Sequence, residues 1–268
     1  MRRRTFVKNS VLTAGTVMAA PALTALGRQI NADFPLVDLH VHMSGGFDME
    51  VIMQLAEERN VTFGILEHPG QGYAIRNDDD LAGYMKYLRQ YPVFVGLQPV
   101  YLNWSKDFSR ELLDQLDYIL MDPQTIPNDD GSYMRIWQLN AHVDDTEEFM
   151  KRYMGHSLKV LDEEPLDIFG WPLSLPICIA RDYYTLWTDE RKQMIIDAAK
   201  KKNIAIEIND MAHVPDREFI LEVKKAGLKL TFGSDARTRD AGRLTYCKRM
   251  IEECNLTADD FFVPERKG

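Results

Sequence analysis

Val37-Asp38-Leu39-His40-Val41-His42 decides how the rest of the chain is read. Apolar residues alternate with polar ones, which is the period of a β-strand, and the run ends in a His-x-His pair. Residues i and i+2 of a strand point to one face about 7 Å apart, so the two imidazoles converge. Gly45-Gly46 and a helical pattern follow at once. The same strand–loop–helix unit then recurs until Gly233-Ser234-Asp235 closes the last strand.

Outward from that stretch, short apolar runs predict strands over 35–42, 61–68, 93–98, 117–121, 166–170, 204–208 and 229–233. Helical patterns cover 49–59, 80–90, 109–115, 145–153, 188–202, 215–226 and 241–254. Several carry start or stop signals: Asn77-Asp78-Asp79 before the second, Asp145 with Glu148 as a capping box, and Gly227 after the sixth. Residues 124–144, with Pro127, Gly131 and Trp137, form a long excursion between the fourth and fifth strands. Insertions of that length in a compact domain are usually functional or disordered, and the functional reading of this one is a lid over the rim.

Most of these strands are apolar runs, as expected where both faces are covered. Seven such units in one stretch mean a barrel or an open doubly wound sheet. No G-x-G-x-x-G follows the first strand, which argues against a dinucleotide site. His40, His42, His68, Gln98, Asp122, Asn209 and Asp235 all fall at or just past the C-terminal ends of strands. A barrel builds its active site on that rim. The reading is therefore a single-domain α/β fold, a distorted (β/α)7 TIM-like barrel over 28–268.

The chain has 268 residues, 45% of them hydrophobic and 27% charged, with a net charge of −9. That balance argues against nucleic acid, which is held through a basic face. Residues 1–27 read as an export signal outside the fold. Arg2-Arg3-Arg4 opens a charged segment, residues 11–26 are apolar and Ala-rich, and Ala20-Pro21-Ala22 offers a cleavage site. Arg3-Arg4-Thr5-Phe6-Val7-Lys8 resembles the twin-arginine signal. No other stretch reaches the roughly 20 apolar residues a membrane helix needs. The mature protein is expected to be soluble and periplasmic or otherwise exported. Cys247 and Cys254 are expected on one helix about 10 Å apart along its axis, beyond the ~7 Å limit for a disulfide. Both, with Cys178, are expected to be buried apolar residues.

His40, His42 and Asp235 supply two imidazoles and a carboxylate, a set that suits zinc, manganese or iron. The plain alternative for Asp235 is a cap on the next turn. Glu67 and His68 end the second strand, and alternation lets only one face inward. His68 is the expected ligand. His142 and His156 read as surface or capping groups, and His213 as a residue able to reach the rim. Trp137, Trp171, Tyr183 and Tyr184 read as core aromatics, with Trp171 at a rim position.

Asp38-x-His40-x-His42, His68, Gly96-x-Gln98, Asp117-Tyr118-Ile119, Asp167-Ile168-Phe169-Gly170, Glu207-Ile208-Asn209 and Gly233-Ser234-Asp235-Ala236 occur in an order that resembles the polymerase-and-histidinol-phosphatase (PHP) family. The resemblance spans 34–255. It implies a distorted seven-stranded β/α barrel, up to three metals and hydrolysis of phosphoesters. The departures are specific. Gln98 stands where the family has a bridging glutamate, and Trp171 and Arg237 stand where it has histidines. Asp122-Pro123-Gln124 offers no histidine, and Asp48 is nearest to a missing loop histidine.

With these departures from the family set, one divalent metal is expected, held by His40, His42 and Asp235, with His68 beside them and Gln98 or Asp122 completing the shell. Asp235 or Asp122 is the expected general base. Arg237 is expected to bind an anionic group of a small-molecule substrate, its plain alternative being a surface arginine. The expected function is an exported metal-dependent hydrolase. The alternative is an inactive barrel that uses Arg237 and Trp171 to hold a small anionic or carbohydrate ligand. A one-metal lyase or isomerase is the third possibility.

Overall fold

The structure is a computed structural model that describes Phe34 and residues 36–267. The expected export signal lies outside the described residues. Seven parallel strands close into a barrel: β1 (Leu36–His42), β2 (Val61–Glu67), β3 (Phe94–Leu97), β4 (Tyr118–Met121), then, past an insertion, β7 (Ile168–Phe169), β8 (Ala205–Asn209) and β9 (Leu230–Gly233). β9 returns to β1 through Asp38 and Phe232, which removes the sheet edge. Helices follow the strands in alternation, as a barrel requires. Among the described residues no helix is long and apolar enough to cross a membrane.

Inside the barrel, the halves nearer the strand N-termini are apolar. Val37, Leu39, Leu66, Phe94, Tyr118, Leu120, Ile168 and Ala205 form one buried cluster. Tyr118 spans the interior and donates its hydroxyl to the Leu39 carbonyl at 2.8 Å. Glycine is required where it crosses: a Cβ at Gly96 would lie 2.7 Å from its ring. β1 departs from simple alternation. Asp38 pairs with Phe63 and Val41 with Ile65, so three steps on β1 match two on β2. This bulge lets Leu39 pack inside the barrel while the next residue, His40, also reaches the interior.

The helix starts follow the chemistry of the first turn. Asp48, Asn77, Asp145, Thr188 and Asp216 each accept a backbone N–H from the turn they precede. The last helix is different. It begins at Thr245 rather than 241, because Leu244 is left-handed (φ 51°) and the cap comes from another loop. The Asp210 carboxylate accepts from the N–H of Tyr246 at 2.6 Å and of Cys247 at 3.1 Å. The insertion holds a short antiparallel pair, β5 (Thr125–Pro127) and β6 (Tyr133–Arg135), where one long loop was expected.

Three further expectations are corrected. The helix Thr146–Glu163 runs well beyond 153, because Met154, Ser157, Val160 and Leu161 continue its buried stripe. His156 therefore sits mid-helix and buried, at 4% exposure, instead of capping an end. Cys178 is exposed, beside the exposed Ile177 in an irregular stretch, while Cys247 and Cys254 are buried.

Neither ring nitrogen of His156 has a hydrogen-bond partner among the described residues. Burial, and then the charge of Lys159, push its imidazole down to about 4. The unfolded chain thus takes the proton first. The contribution to stability is complete above the ordinary 6.5 and is lost as pH falls toward 4. Over that window His156 accounts for about 1.4 kcal/mol per pH unit. Denaturant titrations of wild type and His156→Leu between pH 7 and 4 check this. The variant is expected to show the flatter curve.

Candidate metal centre

The polar end of the barrel is assembled around His40. Its Nδ1–H donates to Glu207 Oε1 at 2.6 Å, and both side chains are fully buried. With Nδ1 so committed, Nε2 faces Asp235 Oδ1 at 3.3 Å and Gln98 Oε1 at 3.2 Å. His42, two residues on, brings Nε2 to 3.6 Å from the same Asp235 oxygen. One donor atom from each of His40, His42 and Asp235 falls within a common span of 4.8 Å.

Several elements hold this arrangement. Asp38 accepts from the Ser234 N–H and the Gly242 N–H, each at 2.9 Å, and so ties β1 to the loop that carries Asp235. Asp235 and Trp171 both adopt the left-handed region, at φ 47° and 45°. Such backbones cost roughly 1–3 kcal/mol each and persist only where the surroundings fix them. Gly233 is required by the pair it faces, since a Cβ there would lie 1.9 Å from Glu207 Oε1 and 2.7 Å from His40 Cβ.

Glu207 is the component that the sequence reading placed in a motif but gave no role. Its second oxygen accepts from the Trp171 backbone N–H at 2.7 Å and from Asn209 Nδ2 at 3.2 Å. The signal for it was present: a lone carboxylate in the apolar run Ile204-Ala205-Ile206-Glu207-Ile208 needs a partner.

Charge makes the centre receptive to a cation. Burial pulls the His40 imidazole down, but the carboxylates of Asp235 and Glu207 outweigh it and bring it up to about 9. Burial, then His40 and Arg237, hold His42 well below 6.5. His42 Nε2 is buried without a hydrogen-bond partner among the described residues. A bare imidazole nitrogen and a carboxylate oxygen thus face one another beside a second imidazole. The separations of 3.3 and 3.6 Å match the ~3.4 Å edge of a tetrahedron with zinc–ligand bonds near 2.0–2.1 Å. The residues fit a divalent metal.

The other expected site residues surround this core. Gln98 donates its amide to Asp122 Oδ2 at 2.8 Å, which turns its carbonyl oxygen toward His40. Burial raises Asp122 to about 6, against the hydrogen bonds from Gln124 and Gln98. His68, not Glu67, lines the cleft. It stands outside the converging three: its ring stacks on His42 with centroids 5.0 Å apart, and Nδ1 meets the Gln98 carbonyl at 2.9 Å. Arg237 places Nη1 2.6 Å from Asp235 Oδ1, with its side chain 44% exposed. His213 is exposed and stacks on Tyr246, away from the centre. His142 is exposed and pairs with Asp144. A cleft of about 530 Å³ opens over the centre. The insertion overhangs it through Gln124, Thr125 and Trp137, and Tyr73, Trp171 and Met211 add to its wall. Trp137 and Trp171 are therefore cleft residues, not core.

No protein-family model and no curated protein sequence matches the chain. Among solved structures, the fold is similar to that of a histidinol phosphate phosphatase from Lactococcus lactis subsp. lactis Il1403, complexed with zinc, L-histidinol and phosphate. The superposition covers 86% of this chain and 100% of that one, with a TM-score of 0.57 and 15% identity. A chain in an archaeal ribonuclease P bound to mature tRNA aligns over 82% of this chain and 87% of its own, with a TM-score of 0.40 and 13% identity, too distant to bear on the site. The first likeness shows a shared fold.

Gly233→Ala is expected to destabilise the protein by about 1–3 kcal/mol, as overpacking against fixed groups does. Gly155→Ala, in a helix with nothing within 4 Å of an added Cβ, is expected to stabilise by about 0.5–1 kcal/mol. Paired urea denaturation curves check both signs.

Proposed function

We propose that this chain is an exported, metal-dependent hydrolase of phosphoesters, related in chemistry to the PHP phosphoesterases it resembles. The observation that carries this reading is the convergence of His40, His42 and Asp235 on the rim of a closed seven-stranded barrel, with the buried Nε2 of His42 unpartnered among the described residues. The zinc, histidinol and phosphate in the structural neighbour support it.

A single divalent ion held by His40, His42 and Asp235 supplies Lewis acidity and an activated water when bound. Glu207 fixes the His40 tautomer, so that Nε2 and not Nδ1 faces the centre. Gln98, oriented by Asp122, offers a neutral oxygen as a further ligand. Asp235 is committed to the ion, the Trp171 indole and the Arg237 guanidinium, whereas Asp122 accepts only from neutral amides, Gln98 Nε2 and the Gln124 N–H, so Asp122 is the better general base. Its acidity near 6 suits it to take a proton at neutral pH. Arg237 binds the anionic group of the substrate with the N–H groups it does not spend on Asp235. The aromatic residues of the cleft accept the remainder of the molecule. Export rests on the twin-arginine-like segment, a route that carries folded proteins and so permits metal loading beforehand.

One observation favours a second reading, an inactive barrel that holds a small anionic or carbohydrate ligand. Trp171 and Arg237 already satisfy Asp235 with protein groups.

Elemental analysis of the mature protein beside His40→Ala/His42→Ala separates the two. About one equivalent in the wild type and none in the double variant is expected. Phosphate release from phosphomonoesters is expected to fall about 100-fold or more in Asp122→Asn with metal retained. KM is expected to rise about tenfold in Arg237→Gln. Absence of metal after reconstitution would leave the inactive barrel as the better reading.

A further inference from the structure

Trp171 reads first as an aromatic wall of the cleft, but its polar atoms are the better guide. Its backbone is left-handed, at φ 45°, in a residue that has a Cβ. That conformation lets one residue serve two carboxylates. The backbone N–H donates to Glu207 Oε2 at 2.7 Å, and the indole Nε1–H donates to Asp235 Oδ2 at 3.0 Å. The opposite oxygens are the ones turned to the imidazoles. Glu207 Oε1 holds His40 Nδ1 at 2.6 Å, and Asp235 Oδ1 lies 3.3 and 3.6 Å from the Nε2 atoms of His40 and His42. Trp171 thus takes the outer oxygen of both carboxylates that flank His40.

A carboxylate with one oxygen fixed on an indole N–H has one oxygen to give. Arg237 Nη1, 2.6 Å from that oxygen, places a guanidinium's positive charge against Asp235, which disfavours a second cation on this carboxylate. Zinc is satisfied by four donors, whereas calcium and manganese take six or more oxygens and often both oxygens of a carboxylate.

We infer that Trp171 is a positioning residue that holds Asp235 as a one-oxygen ligand and so restricts the centre to a single four-coordinate ion of the zinc type. The inference rests on the metal reading proposed above and goes beyond it in naming what sets the coordination number. A wall residue without this role would leave the ion's geometry unchanged when its N–H is removed.

Cobalt(II) substitution tests it, because four-coordinate cobalt absorbs visible light far more strongly than six-coordinate cobalt. The full mature chain, freed of metal and titrated with cobalt, is expected to bind one equivalent with the intense four-coordinate spectrum. Trp171→Phe keeps the ring and loses the N–H. It is expected to lower the visible absorption several-fold and to weaken zinc binding about tenfold. It is also expected to narrow the preference for zinc over manganese, while the metal-free melting temperature falls by only a few degrees, the cost of one lost hydrogen bond to a buried carboxylate. A cobalt spectrum in the variant identical to that of the wild type would overturn the inference. A weak six-coordinate spectrum in the wild type would overturn it without any variant, so a Trp171→Phe protein that failed to fold would not shelter it. Absence of zinc or cobalt binding in the wild type would overturn the metal reading as well, whereas a bound six-coordinate ion removes the Trp171 role alone.

Discussion

Glu207 and His40 meet at 2.6 Å with neither side chain exposed. Two ionisable groups withdrawn from water cost several kcal/mol each unless their remaining lone pairs and protons find partners. Much of the site can be understood as that satisfaction. Trp171 and Asn209 take the second oxygen of Glu207, Gln98 and Asp235 face the second nitrogen of His40, and Gly233 leaves the pair its room. Asp38 anchors the loop that carries Asp235 to the strand that carries His40. The left-handed backbones at Trp171 and Asp235 are held by the same contacts.

The barrel is accordingly divided along its axis. Below, Tyr118 and its apolar neighbours fill the interior through the gaps left by Gly64 and Gly96. Above, the interior positions of the same strands carry histidine, glutamine and carboxylates. The bulge in β1 marks the boundary, since the two residues within it are the apolar Leu39 and the polar His40. A site built this way borrows its rigidity from the packed half, which keeps donor atoms in place before a ligand arrives. The insertion does the reverse. It brings Trp137, 47% exposed, to the cleft wall in the turn just past a short hairpin that belongs to no barrel strand.

What the sequence made legible was periodic or local. The seven strands, the His-x-His pair and Asp235 at a strand end stand out because alternation and rim position are written in consecutive residues. The cap residues Asn77 and Asp145 stand out because a cap acts on its own turn. The hidden parts were long-range. Glu207 and His40 are 167 residues apart, and no spacing rule joins them. The β1 bulge has no glycine or proline to mark it. Asp210 caps a helix that begins far along the chain, and Trp171 acts through N–H groups rather than its ring. A histidine near a helix end is ordinarily a surface residue, whereas here the helix continues to Glu163 and carries His156 on its buried stripe.

The measurement that bears most directly on the centre is anomalous diffraction at the zinc edge from crystals of the protein grown with zinc. The expected map has one peak in the cleft, bounded by His40 Nε2, His42 Nε2 and Asp235 Oδ1. Two or more peaks there, or a peak that does not touch His40, would contradict a centre organised by the Glu207–His40 pair.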